Sequence, residues 1–298
     1  MATGFSHEAP IEVLDKDHWS VTDADRRALI DALEAGHVLH LPAFAFELTP
    51  DEQDILGPDL VSPKRKNISF DAGRNQLNGV ADNAIAATVK ALLARYHHAV
   101  LELIGELFPH YSDYLCDPVN SLRVHDVSDW QTRSSWRKDD RRMHVDAFPS
   151  RPVRGNRILR VFTNINPDGM PRRWRVGEPF PELAERFLPR LKPYSPLSSW
   201  AQDRLKITKG RRTHYDHLML ALHDSMKADD TYQQHGRQWH LDFHPGSTWI
   251  CYSDQVSHAA VSGQFMLEQT FLVALKGMRY PQRTPLKVLE QLTGRSLL

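Results

Sequence analysis

The chain has 298 residues, 41% of them hydrophobic and 9% aromatic, enough for a sizeable core and too apolar for a disordered protein. Lys+Arg and Asp+Glu balance at 37 each, which argues against general nucleic-acid binding, where a basic excess is expected. The two cysteines, Cys116 and Cys251, lie far apart outside any CxxC pattern, which fits a reducing compartment and excludes a disulfide framework.

The first residues lack a basic region followed by an apolar run, so no signal peptide is expected. No stretch approaches the ~20 apolar residues of a membrane span. The expectation is a soluble, cytoplasmic protein. Thr22 can cap a helix over residues 23–35 that Gly36 stops, and a short strand at 38–41 is closed by Pro42. Residues 51–79 are rich in Pro, Lys, Asn and Gly and are expected to be loop. A long helix over 82–107 carries Ile85, Val89, Leu92, Leu93, Tyr96, Val100, Leu103 and Leu107 on one stripe, the pattern of a helix that supports a sheet.

From Val119 the texture changes to short β-like runs, at 121–127, 157–165, 247–252, 258–261 and 265–274. A helical stretch at 215–232 interrupts them, and residues 285–298 read as a short amphipathic helix whose partner the sequence leaves open. Helices first, then many short strands, predict a mainly β jelly-roll sandwich with an α-helical buttress. No linker divides the chain, so one domain is expected over 1–298.

Histidine is abundant, at 16 residues, and roughly one His-x-Asp triplet is expected by chance. Three occur: His144–Asp146, His214–Asp216 and His240–Asp242. The second opens a helix, where positions i and i+2 face apart. The third lies 16 positions before His258, too close for the intervening strands of a jelly roll. His144 and Asp146 sit on an extended segment, where i and i+2 point the same way, and precede His258 on a strand of the opposite sheet. Two imidazoles and one carboxylate leave adjacent coordination positions open, as Fe(II) oxygenases need, whereas a structural zinc site is closed by four ligands. The competing reading is two strand-end histidines satisfied by backbone. No HExxH-type cluster points to a zinc hydrolase.

The runs HVDAFPSRP (144–152), GNRILRVFTNINP (155–167), WICYSDQVSHAAVSGQ (249–264) and EQTF (268–271) resemble the Kdo 3-hydroxylase family. Kdo, 3-deoxy-D-manno-octulosonic acid, belongs to the lipopolysaccharide of some Gram-negative bacteria. The resemblance spans most of the chain after about residue 120 and, more loosely, 34–69. It implies a double-stranded β-helix (jelly-roll, cupin-like) core over 119–280, with a helical insertion at about 214–232 and a mostly helical part over 1–118. It implies a dioxygenase using Fe(II), 2-oxoglutarate and O2, with His144, Asp146 and His258 holding the metal. The implied substrate is Kdo of Kdo2-lipid A or its precursors, hydroxylated at carbon 3 to give Ko, with peripheral contact at the cytoplasmic face of the inner membrane left open. Two alternatives stand beside it, a 2-oxoglutarate dioxygenase of another small anion and a non-catalytic jelly-roll module binding saccharide.

Many 2-oxoglutarate oxygenases carry an arginine ten to fourteen residues after the second metal histidine, but here 268–272 reads Glu-Gln-Thr-Phe-Leu. Arg160, 14 positions beyond Asp146 in the apolar run ILRVF, is the expected co-substrate anchor, because an unpaired buried guanidinium is costly and a carboxylate satisfies it in bidentate fashion. Arg123 is the second candidate. Residues 137–175 hold eleven Lys and Arg against four Asp, a local excess suited to an anionic sugar, with Arg172-Arg173-Trp174-Arg175 as its most suggestive cluster. No individual substrate contact is assigned. His217, His223, Asp224 and Lys227 are expected on the polar face of the inserted helix, and Cys251 in the core.

Overall fold

Strand alternation sets the layers of this molecule, which a computed structural model describes for residues 9–15, 21–130 and 135–298. Residues 1–8, from which no signal peptide was expected, lie outside the described residues. Among the latter, eleven strands form two sheets. The larger has the order β1 (Ile11–Val13), β2 (Val38–Leu41), β9 (Thr248–Tyr252), β6 (Arg157–Asn164), β11 (Met266–Val273), β5 (Leu115–Arg123), β3 (Ile68–Asp71) and β4 (Gln76–Asn78). The smaller has the order β10 (His258–Ser262), β7 (Arg172–Gly177) and β8 (Gln238–Phe243).

β6 serves both faces of the larger sheet. Leu159 and Val161 join the core beneath helix α3 (Ala86–Leu107), while Phe162 joins the core between the sheets and Arg160 enters the space beside it. A period of two makes this possible. Eight residues of α3, Val89 to Leu107 along one stripe, are buried against the sheet, each contributing roughly 1.5–3 kcal/mol for its larger apolar side chains. Between the sheets Trp249 of β9 stacks on Phe243 of β8 at 4.2 Å and on Phe162 at 5.3 Å, with Trp174 of β7 edge-on at 5.6 Å. These rings fix the spacing of the sandwich near the site.

The predicted buttress, the helix α1 (Asp23–Ala35) with its Thr22 capping box and Gly36 stop, and the strands at 38–41, 121–127, 157–165, 247–252, 258–261 and 265–274 all have counterparts here. Three expectations need correction. The segment 51–79 contains α2 (Pro50–Asp54), β3 and β4, because Ile68 and Phe70 alternate into the core while β3 pairs with β5. The amino-terminal part is thus helix and strand together. The insertion between β7 and β8 is wider than 214–232 and comprises α4 (Phe180–Phe187), α5 (Pro196–Arg204), α6 (His214–Ala228) and α7 (Asp230–His235). β7 and β8 themselves had no prediction, since RRWRVG and QWHLDF hide their alternation under polar residues. The final helix α8 (Pro285–Thr293) packs on the body, with Leu286 and Leu289 buried against the cluster that includes Leu183 and Phe187 of α4.

One ion pair ties β6 to the turn before β10. Arg157 is wholly buried and donates to Asp254 through Nε at 2.8 Å and Nη2 at 3.2 Å, and to Gln255 Oε1 at 2.6 Å. Removing one member strands the other charge in the core. Arg157→Ala is expected to lower stability by about 3–5 kcal/mol, read by chemical denaturation, whereas a loss below about 1 kcal/mol would show that Asp254 is held by other partners.

Candidate metal centre and co-substrate pocket

His144 and His258 are neighbours through a β-bridge. Their backbones exchange hydrogen bonds of 3.0 and 2.9 Å, and two residues on the Asp146 amide donates to Ser253 O at 2.8 Å. The extended backbone turns the His144 and Asp146 side chains to one side, as i and i+2 spacing requires. His144 Nδ1 lies 2.7 Å from the Arg142 carbonyl, and His258 Nδ1 lies 2.8 Å from that of Val256. Each carbonyl can only accept, so Nδ1 carries the proton and Nε2 keeps its lone pair. One ligand atom from each of His144, Asp146 and His258 lies within 4.8 Å of the others. Trp174 stacks on the His258 ring at 5.0 Å, and His223 stands edge-on to His144 at 5.3 Å.

Burial keeps both imidazoles neutral. It pushes His144 down to about 3, helped by the nearby Lys227 ammonium, and lowers His258 against the pull of Asp146. Burial opposes ionisation of Asp146 as well, yet the Arg160 guanidinium and the two imidazoles hold it well below the usual carboxylate range. Arg160 Nε lies 3.2 Å from Asp146 Oδ2, but neither buried atom has a hydrogen bond. Two aimed lone pairs and an unsatisfied carboxylate oxygen are a donor set that fits a divalent ion with positions left over.

The three groups form one wall of a cavity of about 160 Å³. Lys66, Arg123, Arg160 and Arg172 also line it, opposed by Asp140, Asp146 and Glu268. Arg123 pairs with Glu268 at 2.9 Å and Asp140 at 3.4 Å, and Arg160 reaches Glu268 at 3.4 Å. Arg172 differs. It is 3% exposed, donates one hydrogen bond to Gly263 O at 2.7 Å, and its Nε has no partner. Burial and the neighbouring Arg123 charge push its pKa down to about 10. Gly263, at φ +115°, lets the β10–β11 turn pass so close that a Cβ there would sit 2.9 Å from Arg172 Cδ.

The sequence of this constellation is matched by a known family. The profile of 3-deoxy-D-manno-oct-2-ulosonic acid (Kdo) hydroxylases matches residues 16–296. The chain belongs to the Kdo hydroxylase family. The cobalt(II) complex of the Kdo hydroxylase KdoO, a non-haem Fe(II), α-ketoglutarate-dependent dioxygenase, is similar at 42% identity, 97% coverage of each chain and a TM-score of 0.92. The complexes of KdoO with succinate and Fe(III) and with α-ketoglutarate and Fe(III) are similar at 42% and 41% identity, again over 97% of each chain, with TM-scores of 0.91 and 0.92. No curated relative matches in sequence.

Within this family member the rival triplets have other places. Asp216 closes the Thr213 capping box at the start of α6 and accepts from the Val153 amide at 2.8 Å. Asp242 faces Arg173 across the β7–β8 pair at 3.5 Å. Arg160 and Arg123 both reach the cavity. Lys66, Asp140 and Glu268 reach it too, although none had been singled out as a site residue, and so do Arg172 and Trp174 of the Arg172–Arg175 cluster, to which no individual role had been assigned. For Arg172 and Trp174 a signal existed, since the alternation Arg172, Trp174, Val176 marks one face of β7. Lys66 had none, because β3 pairing with β5 brings it in from far along the chain. His223 and Lys227 do not lie on a plain polar face. His223 backs His144, and buried Lys227 donates to the Arg137 carbonyl at 3.0 Å.

Proposed function

We propose that this Kdo hydroxylase acts on Kdo2-lipid A or a precursor at the cytoplasmic face of the inner membrane, adding oxygen at carbon 3 of Kdo to give Ko. His144, Asp146 and His258 would hold Fe(II), which with 2-oxoglutarate and O2 supplies the oxidising chemistry. The observation that carries the reading is the charge balance of the cavity. Four cationic side chains face three carboxylates there, with both imidazoles neutral. A divalent ion raises that excess to three positive charges. The dianion 2-oxoglutarate and one sugar carboxylate cancel it, so the site suits a monoanionic acceptor and disfavours a neutral sugar.

Arg160 and Arg172 are the proposed anchors of the distal carboxylate of 2-oxoglutarate, with Arg123 held beside them by Glu268. Arg172 supplies a guanidinium with no ion pair among the described residues, and Arg160 links the anchor to Asp146. Trp174, flat on His258, keeps that imidazole from rotating and forms part of the cavity wall. His223 restrains His144 from behind and is itself held by Asp224 at 3.0 Å.

Mass spectrometry tests the substrate. Protein supplied with Fe(II), 2-oxoglutarate and O2 is expected to add one oxygen to the Kdo moiety of Kdo2-lipid A and to release succinate in equal amount. Succinate release driven by small organic acids, with no oxygen added to any Kdo acceptor, would sink the substrate assignment while leaving the metal site standing.

A further inference from the structure

The surface of the helical insertion carries a pattern that the cavity chemistry does not use. α5 lacks the apolar inner stripe of a helix packed on a body. Its buried residue is Ser199, whose hydroxyl donates to the Arg212 carbonyl at 2.7 Å, beside a 2.8 Å bond from Tyr194 to the same oxygen. Its outer side presents Leu197, 73% exposed, and Trp200, 49% exposed, one turn apart. The chain just beyond adds Leu205 at 70% and Ile207 at 59%. Single exposed apolar residues are ordinary, but four large ones within eleven positions are a surface that water does not favour.

Cations surround this apolar strip. Residues 190–212 contain seven Lys and Arg against one acid, Asp203, in a chain whose total charge is zero. Arg204, Lys206, Lys209 and Arg211 are exposed, and the Arg204 guanidinium lies 5.7 Å from the Trp200 ring. Leu, Ile and Trp flanked by Lys and Arg match the layering of a lipid interface, where apolar groups enter the acyl boundary and long basic chains reach back to anionic headgroups. A protein partner would favour an interface core depleted of charge and enriched in aromatic residues, with lysine scarce. Here a cation precedes each aliphatic residue of Arg204-Leu205-Lys206-Ile207, and Lys209 follows.

We infer that α5 and residues 205–211 form a docking face for an anionic lipid bilayer. The face adjoins a second cavity, of about 520 Å³, which Leu191, Lys192, Tyr194 and Arg212 share with Leu220 and Asp224 of α6. α6 also supplies His223, whose ring meets His144, so one helix touches both this cavity and the candidate metal ligands. Docking through α5 places this second cavity, which is distinct in its lining from the one at the metal ligands, beside the lipid surface. Among the described residues no helix is long and apolar enough to cross a membrane, so the attachment is peripheral. The inference rests on the lipid-borne acceptor proposed above only for its purpose; the binding itself needs neither iron nor substrate.

Co-sedimentation of the full chain with vesicles tests it. The protein is expected to bind vesicles containing phosphatidylglycerol, to bind pure phosphatidylcholine at least about tenfold more weakly, and to lose binding as salt rises. The double variant Trp200→Glu, Leu205→Glu should reduce partitioning by at least about tenfold. The same variant should keep its turnover on a water-soluble Kdo acceptor, which separates loss of docking from loss of folding. Failure of the parent to bind phosphatidylglycerol vesicles, or undiminished binding by the variant, would overturn the inference. So would a parent that self-associates through this face without binding lipid. Absent turnover on every Kdo acceptor, with vesicle binding and its loss as expected, would refute the proposed substrate and leave the docking face intact.

Discussion

His144→Ala is expected to cost the protein both its metal and its turnover. The imidazole is delivered by a β-bridge to His258, its Nδ1 is committed to the Arg142 carbonyl, and its lone pair meets those of His258 and Asp146 within 4.8 Å. Alanine removes one of three donors and leaves the backbone hydrogen bonds in place, so the sandwich should survive. Changing a group that merely supports a metal ligand already costs about 10–100-fold in affinity, and losing a ligand costs more. Titration with Co(II), followed by its visible absorption, should show affinity lowered by more than about 100-fold, with the circular dichroism of the parent retained. His223→Ala provides the contrast. It removes a ring that packs on His144 without supplying a donor atom to the trio, so Co(II) affinity should fall less than in His144→Ala. Undiminished Co(II) binding by His144→Ala would place the metal elsewhere in the chain.

The metal trio was legible because its signal is local. An i, i+2 pair on an extended segment needs no knowledge of the fold, and the rival triplets could be set aside on helix geometry and on their distance from His258. α3 was legible for the same reason, since its stripe repeats over six turns. β7 was not. Its inner face consists of Arg172, Trp174 and Val176, and an arginine in an inward position imitates a surface residue until the opposite wall is known. Lys66 and Asp140 were beyond reach altogether, because their ion pair joins segments 74 residues apart, one carried by the β3–β5 pairing and the other held by the Ala260 amide donating to Asp140 O at 2.9 Å. The exposed face of α5 was missed because its apolar residues are scattered among cations, which lowers the contrast that periodicity relies on. Long-range pairing and inward charges are thus what sequence patterns conceal, and in this molecule they are concentrated around the cavity.

That concentration gives Arg172 a distinctive expected phenotype. Its guanidinium is buried and charged, yet among the described residues it forms no ion pair, Asp140, Asp126 and Glu268 offset its charge only in part, and its Nε is unsatisfied. Such a group destabilises the empty protein, and its lowered pKa expresses the same penalty. If the co-substrate carboxylate is the missing partner, Arg172→Ala loses a buried, charge-assisted pair worth about 2–5 kcal/mol, or roughly 30-fold to a few thousand-fold in the Kd for 2-oxoglutarate. Stability of the variant without co-substrate should not fall and can rise, because the unpaired charge has gone. Co(II) affinity should be nearly unchanged, since Arg172 makes no contact with Asp146, His144 or His258 among its polar partners. Arg160→Ala behaves differently on the same physics. It strips Asp146 and Glu268 of a neighbouring cation at 3.2 and 3.4 Å, so co-substrate affinity should decline and stability should drop, while Co(II) affinity should hold or rise because a competing positive charge has gone from beside Asp146. Calorimetric titration with 2-oxoglutarate, alongside denaturation of the free variants, separates the two arginines. An Arg172→Ala protein that binds 2-oxoglutarate like the parent would leave Arg160 and Arg123 as its anchors and require another anion to account for the uncompensated charge.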